Sequence, residues 1–272
     1  MLDGLAFREW GDPDDPGVLL WPGLGSLGSY FAGIASALPG RAVAVDPPGF
    51  GGSQALGTPD YGRLVELARA AIDARDCRAM VGHSLGANLA TGVGANPPQR
   101  LRAVVLIDGG YLGAAGLEAL GMPVRDGRER LTAWMEENLP RFPDWATARR
   151  EITAMIGGKA TPALEAYLRE VMVEHDGEIR DWDSAQRMAD ACLAGQIGDV
   201  PSTAASIQLP TLLIACGKPA ERRAIREAAW EAFASASPLI ELHVGEGWTH
   251  NPVLQDPEGT GELIATWLRS RL

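Results

Sequence analysis

The pentapeptide Gly82-His83-Ser84-Leu85-Gly86 constrains the fold of this chain more than any other stretch. It fits Gly-x-Ser-x-Gly, in which a serine occupies a sharp turn between a β-strand and an α-helix. Such a turn places the serine in a sparsely allowed region of φ/ψ space and crowds the neighbouring backbone, so residues without a Cβ atom are needed on both sides. Residues 79–81 predict a strand before the turn, and residues 85–96 predict a helix that ends at Pro97-Pro98. Ser84 is therefore a candidate nucleophile.

Other apolar runs predict the remaining strands. A run without alternation is expected of a strand that is covered on both faces. We expect buried strands at residues 18–21 and 101–107, further strands at residues 42–45, 211–216 and 240–244, and an edge strand at residues 5–10. Helices are predicted at residues 29–38, at residues 220–235, and from about residue 251 or 252 towards residue 272.

The strand pattern disappears between residues 112 and 207. Helices are predicted there at residues 128–138, 144–156, 161–175 and 184–193. In the third of these, Thr161 is an N-cap candidate, Pro162 takes the first helical position, and Gly177 lies just past the end. Large apolar side chains are frequent in this block, and we expect most of them to pack its own core and some to line a pocket. They are Trp134, Trp145, Trp182, Met135, Met155, Met172 and Met188.

The loop Pro22-Gly23-Leu24-Gly25-Ser26-Leu27-Gly28 allows two interpretations. Its glycines match G-x-G-x-x-G between a strand and a predicted helix, and Asp46 ends the next strand, which is the fingerprint of a dinucleotide-binding unit. In a serine hydrolase, the same loop brings a backbone N–H towards the oxyanion that forms when the serine attacks a carbonyl. Asp46 is followed by the stiff turn Pro47-Pro48, which would hinder its reach to a ribose, and no tyrosine has a lysine four residues on. We therefore favour the hydrolase over an NAD(P)-binding oxidoreductase.

The composition argues against several kinds of partner. A chain of 272 residues, 46% hydrophobic and 22% charged, suits one large α/β domain with an insertion. The net charge of −11, with no Lys/Arg-rich run, argues against nucleic acid and anionic membranes. The first four residues resemble no signal peptide and no apolar stretch approaches membrane-spanning length, so we expect a cytoplasmic protein. Cys77, Cys192 and Cys216 form no C-x-x-C and are expected to be free and buried.

Four motifs, taken in order, resemble the α/β-hydrolase family, in its large cap-bearing group. They are Pro22-Gly23-Leu24-Gly25, the run Asp46-x-Pro-Gly-x-Gly-x-Ser53, Gly82-His83-Ser84-Leu85-Gly86 and Gly247-Trp248-Thr249-His250. Together they span nearly the whole chain, although Trp21 stands where the family usually has histidine. The resemblance implies an α/β fold with a mostly parallel sheet and helices on both faces. It also implies a helical cap at residues 112–207, inserted into a core of residues 1–111 and 208–272, and a triad of nucleophile, acid and histidine.

His250 is the candidate base. It falls in the predicted loop between the last strand and the last helix, where the family's catalytic histidine lies. Histidine suits this role because its pKa lies near neutrality, so that it can take the serine's proton and later return it. Of the other histidines, His83 is expected to pack inside the turn, His175 to compensate a helix dipole, and His243 to lie within a strand.

The acid is the element in which this sequence departs from the family pattern. The family usually carries aspartate in Gly-x-x-Asp after the strand that follows the cap, but here the stretch is Gly217-Lys218-Pro219-Ala220. Glu221, one residue later, is one alternative. Asp108, at the end of the strand after the nucleophile helix, is the favoured one, because some haloalkane dehalogenases, which this chain resembles, place their acid at this strand end. From there a carboxylate would fix the tautomer of the histidine.

The resemblance therefore implies a serine hydrolase of the carboxylesterase type, acting on a small ester or related carbonyl substrate. Ser84 would attack the carbonyl, His250 would act as base, and the backbone N–H groups of Leu24 and Leu85 would hold the oxyanion. No metal or organic cofactor is expected. Carbon–carbon bond hydrolases, lactonases and cofactor-free haloperoxidase-like enzymes share the same residue set and stay open, as does a ligand-binding protein that has lost catalysis.

Overall fold

The molecule is organised around a mixed seven-stranded sheet. A computed structural model describes residues 4–57 and 59–272. These residues form ten strands, β1 (Phe7–Trp10), β2 (Gly17–Trp21), β3 (Arg41–Val45), β4 (Cys77–His83), β5 (Ala103–Ile107), β6 (Arg141–Phe142), β7 (Met172–His175), β8 (Glu178–Asp181), β9 (Thr211–Cys216) and β10 (Ile240–Gly245). The order in the large sheet is β1-β3-β2-β4-β5-β9-β10, and β1 at one edge is its antiparallel strand. The predicted α/β fold with a mostly parallel sheet is confirmed.

Helices cover both faces of this sheet, as predicted. They are α1 (Tyr61–Ala74), α2 (Leu85–Ala95), α3 (Ala114–Ala119), α4 (Arg128–Asn138), α5 (Trp145–Met155), α6 (Pro162–Val171), α7 (Ala185–Ala194), α8 (Val200–Ala205), α9 (Arg223–Ser235), α10 (Pro252–Gln255) and α11 (Pro257–Arg269). Neighbouring residues of a strand point to opposite faces: Leu19 of β2 packs in one cluster with α1, α2 and α9, whereas Leu20 packs in the other with α11. This explains why β2, β3, β5 and β9 are buried throughout.

The segment between β5 and β9, called the insertion below, contains α3 to α8 and a small sheet that was not predicted. Strands β6, β8 and β7 form this antiparallel sheet. The predicted helix at residues 161–175 is correct at its start, where Thr161 caps it and Pro162 opens it, but it ends at Val171. Residues 172–175 instead form β7, because Asp176 and Gly177 both adopt positive φ and close a two-residue hairpin to β8. Asp-Gly between two extended runs is a strong hairpin signal.

The prediction of a helix at residues 29–38 is wrong. Two short 3₁₀ helices, Gly28–Phe31 and Ala35–Ala37, take its place. The apolar side chains of this stretch are buried together, including Tyr30, Phe31 and Ile34. Tertiary packing therefore decides the backbone here, and a glycine at position 33 weakens any competing α-helix.

The predicted C-terminal helix is divided in two. Helix α10 ends at Gln255, and α11 begins at Pro257. The Asp256 side chain accepts a hydrogen bond from the backbone N–H of Gly259 at 3.0 Å, and so caps the second helix. Pro257, at the first position of α11, lacks the backbone N–H that would have continued α10.

Candidate active site

Ser84 lies at the junction of β4 and α2, at the carboxyl edge of the sheet. Its backbone has φ 52° and ψ −115°, a strained conformation for a residue with a side chain. A Cβ atom on Gly82 would strike the backbone of Gly86, and one on Gly86 would strike the carbonyl oxygen of Trp21. The two glycines therefore let the turn fold against the end of β2, as the motif predicts.

Asp108 follows β5, the strand next to β4, and its side chain is only 3% exposed. One carboxylate oxygen accepts hydrogen bonds from the Tyr111 hydroxyl at 2.7 Å and from the Cys216 N–H at 3.2 Å. The guanidinium of Arg226 lies 3.9 Å from the other oxygen. Burial opposes ionisation, but hydrogen bonds and charge from His250, with help from Tyr111 and Cys216, outweigh it and hold the pKa of Asp108 below its usual range.

His250 lies between Asp108 and Ser84, in the loop between β10 and α10. Its Nδ1 is 2.7 Å from Oδ2 of Asp108, and its Nε2 is 3.0 Å from Oγ of Ser84. Because the carboxylate can only accept, Nδ1 carries the proton and Nε2 is free to accept from the serine hydroxyl. The three residues singled out from the sequence thus form a continuous hydrogen-bonded chain.

Glu221, the alternative acid, does not contact His250. It lies in the short 3₁₀ helix Ala220–Arg222, and its side chain is exposed. No hydrogen bond or ion pair involves its carboxylate in the described part of the chain. The geometry therefore favours Asp108 over Glu221 as the partner of His250.

Leu24 and Leu85, the candidate oxyanion donors, line the same cavity as Ser84. Leu24 follows β2, and Leu85 is the first residue of α2. Within residues 4–57 and 59–272, neither backbone N–H donates to another protein group. The N–H of Leu85 belongs to a helix N-terminus, where orphan donors carry partial positive charge.

The sequence profile of the alpha/beta hydrolase family matches residues 18–263, which is most of the chain. The chain belongs to the alpha/beta hydrolase family. One curated relative is the 3-hydroxybutyrate-oligomer hydrolase of Cupriavidus necator, 34% identical over 140 residues that cover 46% of this chain and 47% of that protein. The chain thus spans about half the length of the curated relative that it matches.

Solved structures of other hydrolases share the fold of this α/β hydrolase. E-2-(acetamidomethylene)succinate hydrolase gives a TM-score of 0.75 at 22% identity, over 97% of this chain and 95% of that one. The thioesterase domain from the curacin biosynthetic pathway gives 0.72 at 21% identity, over 96% and 95%. An esterase of M. tuberculosis gives 0.71 at 18% identity, over 98% and 89%. At these identities the likeness shows the fold alone.

The dinucleotide interpretation of the glycine-rich loop finds no support in this α/β hydrolase. A dinucleotide site needs a long helix whose N-terminus faces the pyrophosphate, whereas a 3₁₀ turn follows the loop here. The carboxylate of Asp46 is buried and accepts hydrogen bonds from the N–H groups of Gly28 and Gly52, at 2.9 and 3.0 Å. Asp46 therefore fixes two loops and is not free to bind a ribose.

His83, expected to pack inside the turn, does so and also contacts the loop of His250. Its ring stacks on Tyr30 with a centroid distance of 4.6 Å and an interplanar angle of 17°. Burial, followed by the charge of His250, lowers the pKa of His83 to about 3. The ring is therefore neutral near pH 7, with Nε2 2.7 Å from the backbone carbonyl oxygen of His250.

Two residues that support Asp108 were not predicted from the sequence. Tyr111 lies three residues after the acid, within the range of a local turn, but nothing in the sequence distinguishes it from a core tyrosine. Arg226 precedes Trp230 by four residues and therefore shares the buried face of α9. An arginine on a buried helical face signals a specific partner, and here it donates to the carbonyl oxygens of Cys216 and Pro219 at 2.6 and 3.0 Å.

The cavity around Ser84, called the Ser84 cavity below, has a volume of about 560 Å³. The insertion contributes a mostly apolar wall, formed by Leu112, Leu117, Leu120, Met122, Trp134 and Cys192, together with the polar side chain of Gln196. Trp134 is thus the one tryptophan among the three predicted for the insertion that lines this cavity. Trp145 lies under the guanidinium of Arg169, and Trp182 packs against Phe50.

Within residues 4–57 and 59–272, no group of three or more His, Cys, Asp or Glu side chains is placed to hold a metal ion. None of the described helices combines the length and the apolar character required to cross a membrane.

Proposed function

We propose that this α/β hydrolase is a serine esterase that cleaves a small ester through an acyl-enzyme. The observation that carries the proposal is the position of His250, whose ring nitrogens lie 2.7 Å from Asp108 and 3.0 Å from Ser84. A base fixed between a buried carboxylate and a serine hydroxyl is the arrangement that serine hydrolases use to activate the nucleophile.

The first half-reaction transfers the acyl group to Ser84. His250 Nε2 takes the hydroxyl proton as Oγ bonds to the carbonyl carbon, and the carbonyl oxygen becomes an oxyanion between the N–H groups of Leu24 and Leu85. Collapse of this intermediate breaks the bond to the alcohol, which leaves with the proton from His250. Asp108 keeps the imidazole in the required tautomer and stabilises its positive charge.

The second half-reaction returns the enzyme to its starting state. His250 takes a proton from water, the hydroxyl oxygen bonds to the acyl carbon, and the carboxylic acid leaves as Oγ of Ser84 recovers the proton. Every step is proton transfer and acyl transfer, so the residues named are sufficient without a cofactor.

The insertion, residues 112–207, takes the role of a cap over a core of residues 1–111 and 208–272. In support of this, it supplies the apolar wall of the Ser84 cavity, including Met122 and Trp134. It also contacts the His250 loop directly, since the Thr249 hydroxyl donates to the carbonyl oxygen of Ile156 at 2.8 Å. An apolar wall beside the nucleophile favours substrates with a hydrophobic part.

The test uses a fluorophosphonate probe and p-nitrophenyl acetate. The wild type is expected to be labelled and to show a burst of p-nitrophenol. Ser84→Ala should abolish labelling and lower kcat on the order of 10⁶-fold. Ser206→Ala, which removes an exposed serine of the insertion, is the matched control and should behave as wild type. A wild type that is neither labelled nor active would reject the esterase and leave a ligand-binding protein on a hydrolase scaffold.

A further inference from the structure

Two exposed cationic side chains line the Ser84 cavity, in addition to the buried guanidinium of Arg226. They are Lys218 and Arg222, in the loop after β9. Strand β9 lies between β5 and β10, so its loop leaves the sheet between the strand ends that lead to Asp108 and His250. The backbone N–H of Lys218 donates to the carbonyl oxygen of Trp248 at 3.0 Å, which fixes this loop against the loop of His250.

Neither cation is held by an anionic side chain among the described residues, although Arg223, which binds Glu246, lowers its pKa and the charge of Lys218 adds to that effect. Two neighbouring arginines do have partners. Arg223 binds Glu227 and Glu246, and Arg226 donates hydrogen bonds to two carbonyl groups. Lys218 and Arg222, by contrast, form no ion pair in the described part of the chain, and both side chains are exposed. Their charges are therefore available to a molecule in the cavity.

The charge balance of the cavity is opposite to that of the whole chain. The chain carries a net charge of −11. The one carboxylate that lines the cavity among the described residues is Asp108, which is hydrogen-bonded to His250. Lys218 and Arg222 thus leave an excess of positive charge next to the nucleophile, and a cleft with one sign of charge concentrates ligands of the opposite sign.

We propose that Lys218 and Arg222 bind a carboxylate of the substrate, so that the preferred substrate is an ester that also carries a negatively charged group. This inference rests on the proposed esterase function and names its substrate class. The apolar wall holds the uncharged part of the molecule, the ester carbonyl lies at Ser84, and the carboxylate lies at the two cations. Arginine and lysine both form charge-assisted hydrogen bonds with carboxylates.

The test compares two p-nitrophenyl esters of similar size, the hemiglutarate, which is an anion, and the neutral pentanoate. Rates in Ser84→Ala are subtracted from each rate, so that only Ser84-dependent hydrolysis counts. The ratio of kcat/KM for the anionic ester to that for the neutral ester is expected to exceed one. It should fall about tenfold in Lys218→Gln/Arg222→Gln and should fall in the wild type as sodium chloride is raised.

The matched control is Lys159→Gln, which removes the same charge from the other lysine of the chain, a residue of the insertion outside the Ser84 cavity. It should leave the ratio unchanged. Equal ratios in the wild type and the double variant, with Ser84-dependent activity on both esters, would overturn the inference and retain the esterase. If neither ester is hydrolysed, calorimetric titration with glutarate decides: binding that weakens in the double variant supports the anion site, and absence of binding rejects it.

Discussion

The imidazole of His83 donates a hydrogen bond from Nε2 to the backbone carbonyl oxygen of His250, across 2.7 Å. His83 immediately precedes Ser84, the proposed nucleophile, so this bond ties the position of His250, the proposed base, to that of the serine. Tyr30 stacks on the His83 ring from the core. The low pKa of His83 keeps its ring neutral, so the ring donates this hydrogen bond only in the tautomer that carries the proton on Nε2. We infer that His83 positions the His250 loop.

We therefore expect His83→Phe, which keeps an aromatic ring against Tyr30 but removes the donor, to lower kcat about 10- to 100-fold, because small displacements of a base are costly. His83→Gln keeps an N–H donor and should recover most of the activity. Steady-state kinetics on p-nitrophenyl acetate, with melting temperatures measured in parallel, give the answer. Equal activity of the two variants at equal stability would show that the hydrogen bond is unimportant.

Replacing each candidate acid in turn should show whether Asp108 or Glu221 is the carboxylate that assists His250. Asp108→Asn is expected to lower kcat on the order of 10⁴-fold, because a neutral amide no longer fixes the tautomer of His250 or stabilises its charge. Glu221→Gln, with an exposed side chain that does not contact His250, should stay within about twofold of the wild type. The measurement is the burst and steady-state rate with p-nitrophenyl acetate. A larger loss in Glu221→Gln would reverse the assignment.

The close contact between Gly86 and β2 predicts a large stability effect. A Cβ atom on Gly86 would lie less than 3.0 Å from the carbonyl oxygen of Trp21, closer than real contacts allow. Gly86→Ala is therefore expected to lower the free energy of unfolding by at least about 2 kcal/mol. In Gly198→Ala, where no other described atom lies within 4 Å of the added carbon, we expect a change within about 0.5 kcal/mol. Urea unfolding of both variants would show whether the contact or the loss of glycine itself matters.

Because of the carboxyl group of Asp181, we expect the stability of the folded protein to depend on pH. Burial, with the charge of Asp183 adding to it, raises the pKa of this carboxyl to about 6. The folded state therefore binds the proton more tightly than the unfolded state, so this contribution to stability is fully present below about pH 4 and is lost as the pH rises through about 6.

Asp181→Asn should consequently stabilise the protein at pH 8, by about 2 kcal/mol, and have little effect near pH 4. The wild type, unfolded under the same conditions, is the reference. Thermal unfolding between pH 4 and 8 measures both. A gain of stability in Asp181→Asn that does not change with pH would contradict the raised pKa of the Asp181 carboxyl group.

The buried strands and the turn around Ser84 were predictable because each depends on local pattern. Apolar runs covered on both faces define β2, β5 and β9, and two glycines with a serine define the turn. The small sheet of the insertion was missed because its signal is a single Asp-Gly dipeptide, and Gly177 satisfies the rules for a helix end as well as those for a hairpin. Pairing with β8 separates the two, and the sheet is completed only when β8 also pairs with β6, a strand far earlier in the chain.

In the candidate site, too, the residues that a local sequence pattern marks could be predicted and the others could not. Ser84 and His250 are marked by motifs, and Asp108 by its place at a strand end. The partners of Asp108 are not marked. Tyr111 is only three residues away but cannot be distinguished from a core tyrosine, and Arg226 meets the carboxylate only after β5 and β9 pair and α9 packs beside them. The two 3₁₀ helices within residues 28–37 could not be predicted from the sequence either, because burial against the sheet overrides the helical periodicity there.

The position of Asp108 directly after β5 has a consequence for the loop after β9, because no carboxylate of that loop contacts His250 among the described residues. Here the loop is held by main-chain atoms, through the N–H of Lys218 and the carbonyl of Pro219. We therefore expect mutations of the side chains at positions 218, 221 and 222 to leave the proposed proton transfer between Ser84 and His250 undisturbed. Libraries randomised at these three positions offer a direct route to new substrate preferences.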